Sequence, residues 1–214
     1  MEKIIENNQA MLIGEIMSGF SYSHESYGER FYMTFVKTDR KSDESDIIPV
    51  IISERLLDVT ADYTGEKIAV SGQFRSYNKH EDQKTHLVLY VFAREVEFVD
   101  EIAERVKNNR IFLTGFVCKE PGYRVTPHGR EIADLLLAVN RPYGRSDYIP
   151  CIVWGRGARF TNQLPVGTSV KLEGRIQSRE YVKRREDGTQ EYKTAYEVSV
   201  SRIDTVEMEE EQCE

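Results

Sequence analysis

The chain holds three cysteines in 214 residues, Cys118, Cys151 and Cys213, and none shows Cys-x-x-Cys spacing. An odd count at such spacings argues against both a disulfide framework and a structural zinc site. The four histidines (His24, His80, His86, His128) form no ligand pattern either, so no metal and no cofactor is expected. No run approaches the roughly 18 apolar residues of a membrane span. No charged, apolar and small-residue leader opens the chain, and the expectation is a cytoplasmic protein with no membrane contact. Also missing are a nucleophile paired with a base, carboxylates at metal spacing and a phosphate loop. No catalytic residue is assigned, and an enzyme is not expected. Tryptophan occurs once, as Trp154.

What is present is charge divided unevenly along the chain. Residues 1–104 carry 11 Lys/Arg against 20 Asp/Glu, a net −9, while residues 105–206 carry 18 against 11, a net +7. The final eight residues add five glutamates. An acidic half beside a basic one points to a localised anionic partner, which the overall −7 conceals.

The halves also repeat one another. Asn7-Asn8 with Leu12-Ile13-Gly14 matches Asn108-Asn109 with Leu113-Thr114-Gly115 at an offset of 101. Ile48-Pro49-Val50-Ile51-Ile52 matches Ile149-Pro150-Cys151-Ile152-Val153 at the same offset. Gly65 and Val70-Ser71-Gly72 match Gly167 and Leu172-Glu173-Gly174 at 102. A near-constant offset over separated blocks indicates a duplicated domain. The expected division is an acidic domain at 1–104, a basic domain at 105–206 and an acidic, disordered tail at 207–214.

Each copy reads as strands rich in β-branched and aromatic residues. They are expected at Ala10–Met17, Arg30–Thr38, Ile47–Ile52, Lys67–Ser76 and His86–Phe98 in the first copy. In the second they are expected at Ile111–Val117, Ile132–Val139, Tyr148–Trp154, Ser169–Tyr181 and Tyr192–Ile203. Pro121-Gly122, Thr126-Pro-His-Gly129 and Arg141-Pro-Tyr-Gly144 are among the turn signals between them. A short helical turn is expected after the third strand, at Glu54–Tyr63 and Gly157–Gln163, and a brief connecting helix at Asp100–Lys107. Five strands with a helix between the third and fourth give an all-β reading: two tandem OB-folds, five-stranded Greek-key barrels related by internal duplication.

The runs Ala133-Asp-Leu-Leu-Leu-Ala-Val-Asn-Arg141, Tyr148-Ile-Pro-Cys-Ile-Val-Trp-Gly155 and Leu172-Glu-Gly-Arg-Ile-Gln-Ser-Arg-Glu-Tyr181 resemble the bacterial and phage single-stranded DNA-binding protein family. The resemblance covers nearly all of residues 108–206; the first half resembles the family mainly through the repeat. It implies sequence-independent binding of single-stranded DNA in replication, repair or recombination. It also implies that bases stack on Tyr143, Tyr148, Trp154 and Tyr181, the four recurrent aromatic positions. By analogy with the family's oligomers, a homo-oligomer is expected, a dimer presenting four barrels. Replication proteins are further partners that the resemblance allows.

The residues agree on a mechanism. A base has a flat π-face whatever its identity, and each aromatic stack contributes about 1–3 kcal/mol. Tyr148 and Trp154 are six apart, so strand alternation puts them on one face unless a bulge intervenes. Arg175, Arg179 and Tyr181 share a face in the same way. Arg156 and Arg159 follow Trp154, Arg141 and Arg145 flank Tyr143, and Lys183-Arg184-Arg185 lies in the loop before the last strand. Cations so placed can contact phosphates and release counterions. Blander readings stay open: Trp154 as a core residue, Tyr181 as an ordinary exposed strand tyrosine, and the Lys183–Arg185 run as a solvated hairpin tip.

The first copy lacks the rings. At the repeat offsets, Ser42, Ile47, Ser53 and Lys79 stand where the second copy has Tyr143, Tyr148, Trp154 and Tyr181. Phe31 and Phe35 are expected to pack inside. With its negative charge this copy reads as a scaffold that pairs with the basic half, and Tyr22, Tyr27 and Tyr77 are its remaining candidates for strand contact. The tail keeps the family's acidity but not its Gly/Gln/Pro-rich linker or closing Asp-Ile-Pro-Phe. The main alternative is a primosomal or replication-accessory OB protein that acts through protein–protein contacts.

Overall fold

Along Asn109–Val117 the residues Ile111, Leu113, Gly115 and Val117 are buried while their neighbours stay half-buried. This is the period-two pattern of a strand with one face on a core. The pattern recurs throughout the computed structural model, which describes residues 7–42, 44–81, 84–102, 107–184 and 188–206. The first half forms β1 (Asn8–Ile16), β2 (Ser21–Ser26), β3 (Glu29–Asp39), β4 (Ser45–Ser53), β5 (Lys67–Glu81) and β6 (Lys84–Phe98). The second forms β7 (Asn109–Val117), β8 (Gly122–Val125), β9 (Glu131–Arg141), β10 (Arg145–Trp154), helix α1 (Arg156–Thr161), β11 (Ser169–Arg184) and β12 (Gln190–Thr205).

Each half closes into a barrel. β1 pairs antiparallel with β5 and β3, β5 with β6 and β3 with β4, and a parallel β4–β6 ladder completes the circuit. In the second half β7, β11, β12, β10 and β9 repeat this arrangement strand for strand. The molecule is thus two tandem OB-folds, five-stranded Greek-key barrels related by internal duplication. The repeated glycines mark where the barrels close. A methyl group on Gly14 or Gly115 would collide with the carbonyl of Lys37 or Ala138 across the closing strand. On Gly72 or Gly174, beside the bulges of β5 and β11, it would collide with the carbonyl of Phe92 or Ser199.

The halves join through β1 and β7, which pair antiparallel with Ala10 opposite Ile111. Both barrels therefore belong to one twelve-stranded sheet, and their buried apolar side chains form one continuous cluster. Two reciprocal polar clamps flank this seam. In one, the buried Asp46 carboxylate accepts from Arg40 (2.6 and 2.9 Å), from Arg175 (2.8 Å) and from the backbone N–H of Ser178 (2.8 Å). In the other, the buried Asp147 accepts from Arg141 and from the backbone N–H of Ser76 (2.5 Å). Arg40 and Arg141 also donate to the carbonyls of Ser178 and Ser76, at 3.3 and 3.0 Å. The Ser178 and Ser76 hydroxyls in turn accept from the N–H groups of Ile47 and Tyr148. Each half thus supplies an Arg–Asp pair to grip a strand of the other, as a self-complementary two-fold interface requires.

Three local expectations change. Residues 54–63 form turns rather than a helix. Asp58 accepts from the N–H and hydroxyl of Thr60, and Asp62 from those of Thr64, local bonds that compete with a helical ladder. A sixth strand stands beside each barrel: β2 pairs with β3, and β8 pairs with β9 where only a turn was read. All four residues of β8 are exposed, so no alternation announces it. Phe31 is buried, but it packs with Ile51 and Tyr90 in a second cluster apart from the barrel core. The Asp100–Lys107 connection lies partly outside the described residues, as residues 103–106 are not among them. The tail at 207–214 lies outside them entirely.

Candidate nucleic-acid interface

β10 builds the centre of the candidate surface. Ile149, Cys151 and Val153 point into the core, at 0–2% exposure, while Tyr148 and Trp154 remain 42% and 40% exposed. The β9–β10 ladder runs from Arg145 to Trp154 without a register shift, so Tyr148 and Trp154 share the outer face. Trp154 is therefore no core residue. Burial pushes the inward Cys151 thiol far above its ordinary pKa.

β12 lies between β10 and β11, and on β11 the residues Arg175, Gln177, Arg179 and Tyr181 occupy alternate positions. Tyr181 is 39% exposed, with the Arg179 guanidinium 5.9 Å from its ring centroid. The β11–β12 ladder continues to Arg184 opposite Gln190, so Lys183 and Arg184 ride on an exposed arm. Arg185 lies outside the described residues. Tyr143 occupies the turn between β9 and β10, 92% exposed and at φ 64°, ψ 32°. A bulky residue in that left-handed region costs of order 1–3 kcal/mol, and such strain gathers at functional sites.

The predicted cations differ in how far they are already paired. Arg145, Arg156, Lys183 and Arg184 are exposed and make no ion pair among the described residues. Arg179 is half free, 3.8 Å from the Glu197 carboxylate. Arg159 donates to Glu131 at 2.7 Å. Glu131 also accepts from the Tyr123 hydroxyl, and these two donors hold its carboxyl below the usual range. Arg141 and Arg175 are committed elsewhere: their guanidinium groups close the clamps on Asp147 and Asp46. The Asp147 hydrogen bond raises the Arg141 pKa, whereas burial lowers that of Arg175. The repeat carried a signal for Arg141. Its counterpart Arg40 persists in the copy that lacks the rings, as does Asp46 opposite Asp147, so the pair serves something other than stacking.

Exposed rings of the second barrel outside the predicted set are Tyr123 of β8, Phe160 and Tyr192. Phe160 of α1 is 38% exposed, and Tyr192 on the β12 arm is 74% exposed. Tyr192 lies in an alternating strand and was legible as a surface ring; Phe160 sits in a six-residue helix too short to display a face.

The first barrel's outer surface differs, as its residues imply. Ser53 is buried and bonded to the Glu29 carboxylate, and Ile47 is 43% exposed. Its rings lie elsewhere. Tyr22, Tyr27 and Tyr77 are exposed, and Arg75 stands 3.9 Å over the Phe92 ring beside the Phe31–Ile51–Tyr90 cluster.

The profile of the single-strand binding protein family matches residues 108–206. A single-stranded DNA-binding protein of Halalkalibacterium halodurans is 39% identical over 80 residues, covering 34% of this chain and 48% of that protein. One from Bacillus cereus is 36% identical over 93 residues, covering 40% and 54%. The chain thus spans about half the length of the curated relatives it matches. The crystal structure of the wild-type single-stranded DNA binding protein from Thermus aquaticus superposes with a TM-score of 0.71 at 20% identity, covering 97% of this chain and 96% of that one. At that identity the likeness speaks for the tandem fold alone.

Proposed function

We propose, from the match of residues 108–206 to the single-strand binding protein family, that the protein binds single-stranded DNA without sequence preference, in replication, repair or recombination. The observation that carries this reading is the outward pair Tyr148 and Trp154 on β10, with Tyr181 and Arg179 two strands away. Bases stack on the rings, and Arg145, Arg156, Arg179, Lys183 and Arg184 contact phosphates. Arg141 and Arg175 serve the reading indirectly, by holding the barrel that bears the rings. No chemical step is assigned to any residue.

The working division is a scaffold barrel at 1–104, a binding barrel at 105–206 and an acidic tail at 207–214, in a cytoplasmic protein. Assembly into a dimer that presents four barrels is part of the same reading. Titration with oligothymidylate tests it, because Trp154 is the only tryptophan. Quenching that weakens as salt rises supports strand binding on this face. Unchanged fluorescence and unchanged anisotropy of a labelled strand at low salt would defeat it. The reading as a replication-accessory protein acting through protein contacts draws on the partly buried Met33, Val88 and Phe92, which pack on the buried Phe31–Ile51–Tyr90 cluster outside the barrel core, and that same negative result would favour it.

A further inference from the structure

Beyond Trp154 the surface does not end. A cleft of about 300 Å³ opens between β10, α1 and the last part of β12, with Trp154, Arg156, Phe160, Arg202 and Ile203 among its walls. Its floor is barrel core, since Val153 and Val200 are 2% and 5% exposed. The helix lies against that floor at Gly157, where a methyl group would meet a Val153 methyl at 2.8 Å. Two large rings at the rim stay substantially exposed, Trp154 at 40% and Phe160 at 38%.

The cations of the cleft are available. Arg156 is exposed and makes no ion pair among the described residues. Arg202 bonds to Asp204 at 2.8 Å, but its side chain is 73% exposed. An exposed pair of this kind contributes little, so Arg202 can exchange the carboxylate for a phosphate at small cost. The first barrel has no counterpart: Ser53 and Val59 stand at the repeat positions of Trp154 and Phe160, and residues 54–63 make turns instead of α1.

An apolar slot with two rings and two cations at its rim fits a group that is flat and apolar on one side and anionic on the other. A nucleotide has both properties, and a strand already lying on Trp154 would deliver one. We propose that the cleft receives one nucleotide of the bound strand, its base against Trp154 and Phe160 and its phosphates near Arg156 and Arg202. This rests on the strand-binding reading above and adds Phe160 and Arg202 to the binding residues.

The test measures competition for a fluorescein-labelled oligothymidylate by the full chain and by Phe160→Ala and Arg202→Gln, each checked for its fold by circular dichroism. Loss of one base contact predicts affinity weaker by about fivefold or more for Phe160→Ala, with its salt dependence unchanged. Loss of one phosphate contact predicts a log–log salt slope shallower by about 0.7 for Arg202→Gln. If the wild-type chain fails to bind, the strand-binding reading falls and takes this proposal with it. If the wild-type chain binds, Phe160→Ala matches its affinity and Arg202→Gln keeps its slope, the cleft alone is overturned. Should Phe160→Ala lose its fold, the Arg202→Gln slope decides.

Discussion

Trp154 combines two demands that one side chain seldom meets. Its neighbours Val153 and Ile152 are buried, yet its own ring stays 40% exposed on the outer face of the strand. An indole left in water at a strand end gives up burial for which its size suits it, and on the proposed reading a stacked base recovers that loss. Trp154→Ala is expected to weaken oligothymidylate binding by about 5- to 150-fold, the equivalent of 1–3 kcal/mol, while the unfolding midpoint changes little. Anisotropy and urea denaturation check the two halves of that statement. Cys151, facing the opposite way on the same strand, offers a complementary probe. Burial favours its neutral thiol and moves ionisation upward, so the native protein at pH 8 holds no thiolate there to react. Iodoacetamide at that pH, followed by peptide mass mapping, should leave Cys151 unmodified in the native protein and modify it fully in urea.

At the level of elements, the seam between the barrels depends on ionic groups that water barely reaches. Asp147 is 1% exposed, and its partners are the Arg141 guanidinium of its own half and the Ser76 backbone amide of the other. Removing the carboxylate strands Arg141 and the Ser76 N–H, so Asp147→Ala should lower the unfolding free energy by about 3–5 kcal/mol. Asp134→Ala, which removes a half-exposed partner of Arg124, should cost less than about 1 kcal/mol; urea denaturation of both variants separates the cases. Most of these elements were legible in the sequence, because one-sided burial imposes alternation and the repeat marked the first, third and fourth strands of each copy. That Tyr148 and Trp154 share a face followed from their spacing, whereas the exposure of that face is seen only in the structure. What stayed hidden was whatever depends on the partner barrel. Arg141 and Arg175 carry the composition of phosphate ligands, and only the location of Asp147 and Asp46 reveals that their charges are already matched. Residues 54–63 misled for a local reason: Asp58 and Asp62 bind the threonines two residues on, and helical spacing does not display that competition.

Taken whole, the molecule distributes its rings and its charge unequally over two barrels of one design. The rings at the four platform positions and the net positive charge both fall in the second half, so strand binding should be strongly salt-dependent although the whole chain is acidic. The pairing of β1 with β7 makes the interface between barrels a property of a single chain. Its formation is unimolecular, and the local concentration of one barrel around the other does not fall on dilution. The β1–β7 seam should therefore add no concentration dependence to the urea midpoint, and a midpoint that rises from nanomolar to micromolar protein would report the proposed contact between chains. That covalent union also frees the design from symmetry. In a pair of identical subunits every substitution is made twice, once on each side of the axis, and a change that suits one face burdens the other. Here the Arg40–Asp46 and Arg141–Asp147 clamps keep the two-fold geometry while Ser53 and Trp154, at matching positions, have become different residues. A tandem chain can specialise one side of its axis without asking the other to follow.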